Sequence, residues 1–248
     1  MKLGVLGGLG PLATVDFLDK FYRCGPVSRD QDHPPVEVKF CTQIPDRSDF
    51  LNGVGESPLE EMVLAARGLR EAGAELGVLV CNTAHVWFDE LQQASGLRFL
   101  HIADPVRERL AGSSRPAALL CTPWTVMGKV YSSRLPVETL LEPSQFILDQ
   151  MLMPAIRLLK ANRFDEGRAL VQQVLNLFEY AGCESAILGC TELPLVAASC
   201  RTEMTLLDPN LLLAQEAWRQ CKSRAEEAMG TDVDTVGRDV NVLVSPAG

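Results

Sequence analysis

No basic run occurs anywhere in the 248-residue chain, and acids outnumber Lys and Arg by 32 to 23, for a formal charge of −9. That balance argues against nucleic acid or an anionic membrane surface as a partner. It still leaves room for a small anionic ligand where a few cations and helix N-termini converge. No apolar segment approaches the roughly 20 residues that a membrane-spanning helix needs, so no membrane partner is expected. No C-x-x-C pair exists among the eight cysteines, and the three histidines lack metal-ligand spacing, so no metal is expected. Lysines are few, and none stands in the setting that a Schiff base to pyridoxal phosphate requires. The opening MKLGVLGGLGPLATVDFL has clustered glycines, Pro11 and no clear cleavage site, and reads as strand, glycine turn and helix rather than as a secretion signal. The expected compartment is therefore the cytoplasm, with reduced thiols.

What the chain does have is alternation. KLGVLG (2–7), VEVKFC (36–41), LGVLVC (76–81), AALLC (117–121) and SAILGC (185–190) read as buried parallel strands. Between them, 58–73 and 165–182 have helical spacing with early acids, and Gly73 and Gly182 as stops. The expected class is α/β with a mostly parallel sheet, whose strand-to-helix loops share one edge. Two strands end in cysteine 109 positions apart, and each follows a helix that closes on Ala-Gly. That repetition predicts two similar halves, 1–105 and 106–207, joined near 103–116. A last helix at about 208–229 is expected to return to the first half, followed by a poorly ordered tail at 230–248.

The glycine turn, Gly8-Leu9-Gly10-Pro11-Leu12-Ala13, fits the G-x-G-x-x-A of a dinucleotide site. The second strand, however, runs into Cys41, Thr42 and Gln43, without the acid that would hold a ribose. Backbone N–H groups approaching a small carboxylate account for the glycines equally well. Cys24, Cys41, Cys121, Cys183, Cys200 and Cys221 read as small buried or helix-surface residues. Cys81, in LVCNTAH, and Cys190, in AILGCTELP, differ: each stands at a strand end before a helix, where the dipole is expected to favour a thiolate. Thr83 and Thr191 are placed to cap those helices or to meet a ligand. His85, four residues after Cys81, and Glu192, two after Cys190, are candidates to support the thiols.

GGLGPLAT (7–14), RDQDHPPV (29–36), QIPDRS (43–48), CNTAH (81–85) and GCTELP (189–194) together resemble the aspartate/glutamate racemases, in the aspartate racemase branch. They occur in order and span roughly residues 1–210. The resemblance implies a cofactor-independent racemase of two pseudo-symmetric α/β domains, dimeric, with its active site between them. It implies that Cys81 and Cys190 are the two acid/base residues, one for each face of the substrate Cα. It further implies substrate binding by Gly8, Leu9, Gln43, Arg47, Asn82, Thr83, Thr122, Thr125, Lys160 and Thr191, with Arg47 and Lys160 near the distal carboxylate of an acidic amino acid, aspartate ahead of glutamate. In the loop Cys121-Thr122-Pro123-Trp124-Thr125, Trp124 replaces a family glycine, which bears on pocket width. A dicarboxylate isomerase or decarboxylase, or a catalytically silent binding protein, are the alternative expectations.

Overall fold

A computed structural model describes residues 1–230 of the chain. Apart from Gly230, which closes the last helix, the expected tail lies outside the described residues. Eight strands form two all-parallel sheets: β1 (Leu3–Gly7), β2 (Val36–Phe40), β3 (Leu76–Leu79) and β4 (Phe99–Leu100), then β5 (Ala117–Cys121), β6 (Leu140–Leu141), β7 (Ser185–Gly189) and β8 (Thr205–Leu207). The orders are β2-β1-β3-β4 and β6-β5-β7-β8. These are the same order twice, so β3 and β7, which deliver the two cysteines, hold equivalent central places. The protein is a two-domain α/β fold with helices flanking each sheet.

The helices form where the apolar spacing placed them. Leu59–Glu71 buries Met62, Val63, Ala66 and Leu69 on one stripe, starts with Glu60 and Glu61, and is followed by Gly73 at φ +87°. Phe164–Tyr180 repeats the design with Asp165, Glu166 and Gly182 at φ +86°. No helix among the described residues is long and apolar enough to cross a membrane.

Strand alternation divides the interior into three cores. Leu6 and Leu79 join Met62, Ala66 and Leu69 on the outer side of the first sheet. Ala118, Leu120, Ala186 and Leu188 join Leu159, Val171, Val174 and Phe178 outside the second. Leu3, Val5, Leu76 and Val78 face instead a core shared with Leu119, Cys121 and Ile187 of the second sheet. The last helix, Pro209–Gly230, adds Leu213, Ala214, Ala217, Trp218 and Cys221 to that shared core, beside Phe17 and Phe21 of the first helix, Pro11–Tyr22. The Phe21 and Trp218 rings meet edge-on at 5.4 Å. Each fully buried Leu or Phe there contributes about 1.5–3 kcal/mol.

Two expectations about strands need correction. β2 is half-buried over Val36–Lys39 and exposed at Phe40 rather than buried, because it is an edge strand. β4, β6 and β8 carried no sequence signal, since two or three residues are too few to display a period.

Candidate active site

With every strand parallel, the carboxyl ends of β1, β3, β5 and β7 lie on one edge of each sheet, and the loops there converge. A cavity of about 230 Å3 is lined by Leu9, Arg47, Cys81, Asn82, Thr83, Thr122, Lys160, Cys190, Thr191 and Glu192, drawing on both halves. It shares Leu9, Asp46, Arg47, Lys160 and Glu192 with a larger chamber of about 540 Å3 that also touches Gly8 and Gly10. Volumes of this order suit a small ligand.

The two thiols sit in unlike surroundings. Cys190 is buried and donates its S–H to Glu192 Oε2 at 3.1 Å. Burial, then the nearby Glu192 carboxylate, push its thiol well above the ordinary value, with Lys160 opposing them. Cys190 precedes a turn and a helix of only four residues, Pro194–Ala197, too short to deliver much of the expected dipole at its sulfur. Cys81 precedes a helical run that begins as the 3-10 segment Thr83–Trp87 and continues without a break as Phe88–Ser95.

His85 does not touch the Cys81 sulfur. The Ile102 N–H donates to His85 Nε2 at 3.2 Å, which leaves the ring proton on Nδ1, donating to the Cys81 carbonyl at 2.8 Å. Burial, aided by His101, pushes His85 well below the usual imidazole value, so it stays neutral and pins the Cys81 backbone. Thr83 does not cap its segment either. Its hydroxyl lies 2.9 Å from that of Thr122, which lies 3.0 Å from that of Thr125, making a threonine bridge between the halves. Thr122 also accepts from the Thr125 N–H and so caps the helix Pro123–Met127. Thr191 donates to Glu192 at 3.3 Å rather than capping.

The cations converge on the cavity from two elements. Lys160 ends a continuous helical run, 145–160, whose middle, Leu148–Leu152, is π-wound. Its ammonium lies 3.4 Å from Asp46, and its side chain is 40% exposed at the rim. Burial works against its charge, yet Glu192, Cys190, Asp46 and Cys81 together hold its pKa above the usual lysine value. Arg47 is only 7% exposed, and its terminal nitrogens donate to the carbonyls of Leu9 (2.6 Å) and Pro45 (3.1 Å), while its Nε has no partner among the described residues. Arg157 lines the same cavity. Its place three residues before Lys160 on one helix face is the signal by which the sequence could have revealed it.

Not every expected binding residue lines the smaller cavity. Gln43 is exposed and outside the cavity lining, because the turn after β2 points Thr42 and Ile44 inward instead. Thr125 is buried behind Thr122 and does not line the cavity. Gly8 reaches the larger chamber, but its N–H is taken by Thr14 Oγ1 at 2.9 Å and is not free for a carboxylate. Trp124 lies in an adjoining cavity of about 260 Å3 with Asn52, Asp149, Met153 and Arg157, so it does not narrow the space between the thiols. Tyr131, in a segment without a motif, went unnoticed in the sequence. It is fully buried, and its hydroxyl donates to Asn82 Oδ1 at 2.6 Å.

Comparison with known proteins gives this geometry a family. A family model described as Asp/Glu/Hydantoin racemase matches residues 6–217. A broad-specificity amino-acid racemase, RacX, of Bacillus subtilis is 26% identical over 223 residues, covering 86% of this chain and 95% of the relative. The solved structure of Picrophilus torridus aspartate racemase superposes with a TM-score of 0.77 at 27% identity, covering 89% of this chain and 94% of that one. Glutamate racemase from Thermus thermophilus shares the fold, with a TM-score of 0.62 at 23% identity over 92% of this chain and 81% of its own. The chain belongs to the Asp/Glu/Hydantoin racemase family, as an enzyme of amino-acid racemisation.

Proposed function

We propose that the chain racemises an acidic amino acid, aspartate ahead of glutamate, by moving the Cα proton between Cys81 and Cys190 without a metal or organic cofactor. The observation that carries this reading is that thiols from equivalent strands of the two halves line one small cavity, with Lys160 and Arg157 at its wall. In one direction the Cys81 thiolate removes the Cα proton, and the electron pair delocalises into the substrate carboxylate. The Cys190 thiol then delivers its proton to the opposite face, leaving Cys81 as the thiol and Cys190 as the thiolate. The resting S–H bond from Cys190 to Glu192 suits Cys190 to the donating role in that direction. Protonation of the two thiols is coupled, so the pair titrates as a unit.

Lys160 and Arg157 supply charge for the distal carboxylate, which an acidic protein must provide locally. Arg47 contributes its charge at the cavity wall while its terminal nitrogens hold the Leu9 and Pro45 carbonyls. The aspartate preference is supported by the small volume between the thiols and by the likeness to an aspartate racemase. A cytoplasmic homodimer completes the reading, and sedimentation would test the assembly.

The test is Cα proton exchange in D2O, followed by NMR, with both enantiomers of aspartate, glutamate and several neutral amino acids. Inversion by the wild type, abolished in both Cys81→Ala and Cys190→Ala, is the expected result. A folded, reduced protein silent across the panel would overturn the reading and turn attention to dicarboxylates lacking an amine.

A further inference from the structure

β2, Val36-Glu37-Val38-Lys39-Phe40, has β1 on one side and no strand on the other. The Pro35 carbonyl accepts from the Leu3 N–H, and the Cys41 N–H donates to the Gly7 carbonyl. Backbone groups alternate in direction along a strand, so those of Val36, Val38 and Phe40 point away from β1, and among the described residues nothing pairs with them. Glu37 and Lys39 share a face with Cys41, which packs on the outer core, and neither makes an ion pair among the described residues. Apolar surface flanks the same edge. Phe40 is 46% exposed. Leu64, 66% exposed, stands one helical turn before Gly68, where a Cβ would come within 3.1 Å of Lys39 Cε.

We propose that this edge is the contact between two copies of the chain, with β2 pairing antiparallel to the second copy's β2 about a two-fold axis through Val38. The inference rests on the homodimer of the reading above, and on nothing in its chemistry. In that register Val38 meets its counterpart and Val36 meets the second copy's Phe40, so every outward-facing residue enters a pair that exchanges two backbone bonds. Each Glu37 then lies directly opposite a Lys39. A slip of one residue sets outward groups against groups already bound to β1. A slip of two, in either direction, sets Glu37 against Glu37 or Lys39 against Lys39, so charge selects the one register. A lone lysine on an edge strand deters pairing, whereas Lys39 with Glu37 beside it matches a reversed copy of itself. Phe40 gains a β-branched neighbour across the strands, and Leu64 comes to lie along the seam. The same strand leads into the turn that brings Thr42, Ile44 and Arg47 to the cavities, so pairing steadies the support of that wall.

The experiment is a charge exchange on the full chain, read by analytical ultracentrifugation at low salt, where exposed charges are least screened, with melting curves alongside. Glu37→Lys sets positive charges opposite each other at both pairs, and Lys39→Glu sets negative ones. Each single variant is expected to dimerise about tenfold or more weakly than the wild type. Mixing the two restores opposite charges at both places, so a mixed dimer near wild-type strength is expected. Single variants that dimerise like the wild type would overturn the proposal, as would weakened ones that mixing does not rescue. Should a single variant fail to fold, the chain carrying both Glu37→Lys and Lys39→Glu asks the same question. It should pair with itself and sort away from the wild type, since a mixed pair sets like charges together; free mixing would overturn the contact. A wild type that stays monomeric at every concentration refutes the homodimer and this contact together, and leaves the racemase chemistry to its own assay. A wild-type dimer indifferent to the exchanges refutes the contact at β2 alone.

Discussion

Replacing Glu192 with Gln removes a negative charge from beside the Cys190 sulfur and changes little else. The side chain keeps its shape, its Oε still accepts from Thr191, and Gly10, where a Cβ would collide with Glu192 Oε1, still gives it room. The Cys190 sulfur and Glu192 Oε2 are 3.1 Å apart. Two unit charges at that distance repel by about 1 kcal/mol in water-like surroundings and about 5 kcal/mol at an effective dielectric constant of about 20. The smaller figure already corresponds to about a tenfold rise in the thiolate fraction at neutral pH. A less basic thiolate is also a weaker nucleophile, which returns roughly half of the logarithmic gain. Alkylation of Cys190 by a small haloacetamide, followed site by site by mass spectrometry, should therefore quicken by about threefold or more in Glu192→Gln. The pH profile of the reaction should move to lower pH. An unchanged or slower rate, in a variant that melts like the wild type, would refute the view that the carboxylate holds this thiol protonated.

Lys160→Met should raise KM for aspartate and lower kcat/KM by about 10- to 100-fold, the worth of one charged hydrogen bond, while neutral amino acids lose far less; steady-state kinetics on both classes decides it. Gly8→Ala places a side chain at φ +84°, with a Cβ in collision with the Cys41 backbone, and should cost at least about 1–2 kcal/mol in urea unfolding. His101 is pushed by burial, with help from Arg134, from 6.5 to about 3 in the folded protein. The unfolded chain therefore takes up this proton first as pH falls, so the stability that a neutral His101 contributes is complete above 6.5 and drains away as pH drops toward about 3. His101→Gln should flatten the loss of stability across that window, and identical slopes in the two proteins would count against it.

The α/β class could be read from the sequence because buried strands left unbroken apolar runs, as in 117–121, and helices a 3.6-residue period, as in 165–182. The matching orders of the two sheets showed only as a cysteine repeated after 109 positions, because β4, β6 and β8 are too short to declare themselves. At the site, residues fixed by a motif at a strand end came together: Cys81, Asn82, Thr83, Cys190, Thr191 and Glu192 line one cavity. Residues whose roles depend on side-chain direction were not resolvable. Gln43 and Thr42 are neighbours in the chain, yet only Thr42 faces the chamber. The hydrogen of Gly8 looked available until Thr14, six residues on, was seen to take it. Tyr131 had no signal at all, since its importance lies in one hydroxyl reaching 49 residues back along the chain.

The shared core also sets a timetable for synthesis. Phe17 and Phe21 pack against Trp218 and Cys221, about 200 residues later, so the first half leaves the ribosome with one apolar side bare. At translation speeds of about 5–20 residues per second, that side waits about 10–40 s for its cover. During that time the outer core around Leu69 and Leu91 is free to close, since all its members lie before residue 100. The nascent chain should thus pass through a half-built stage with a firm outer layer and an exposed inner one, the stage at which it would engage chaperones or aggregate. Release of the last helix from the ribosome, rather than completion of either sheet, ends that exposure.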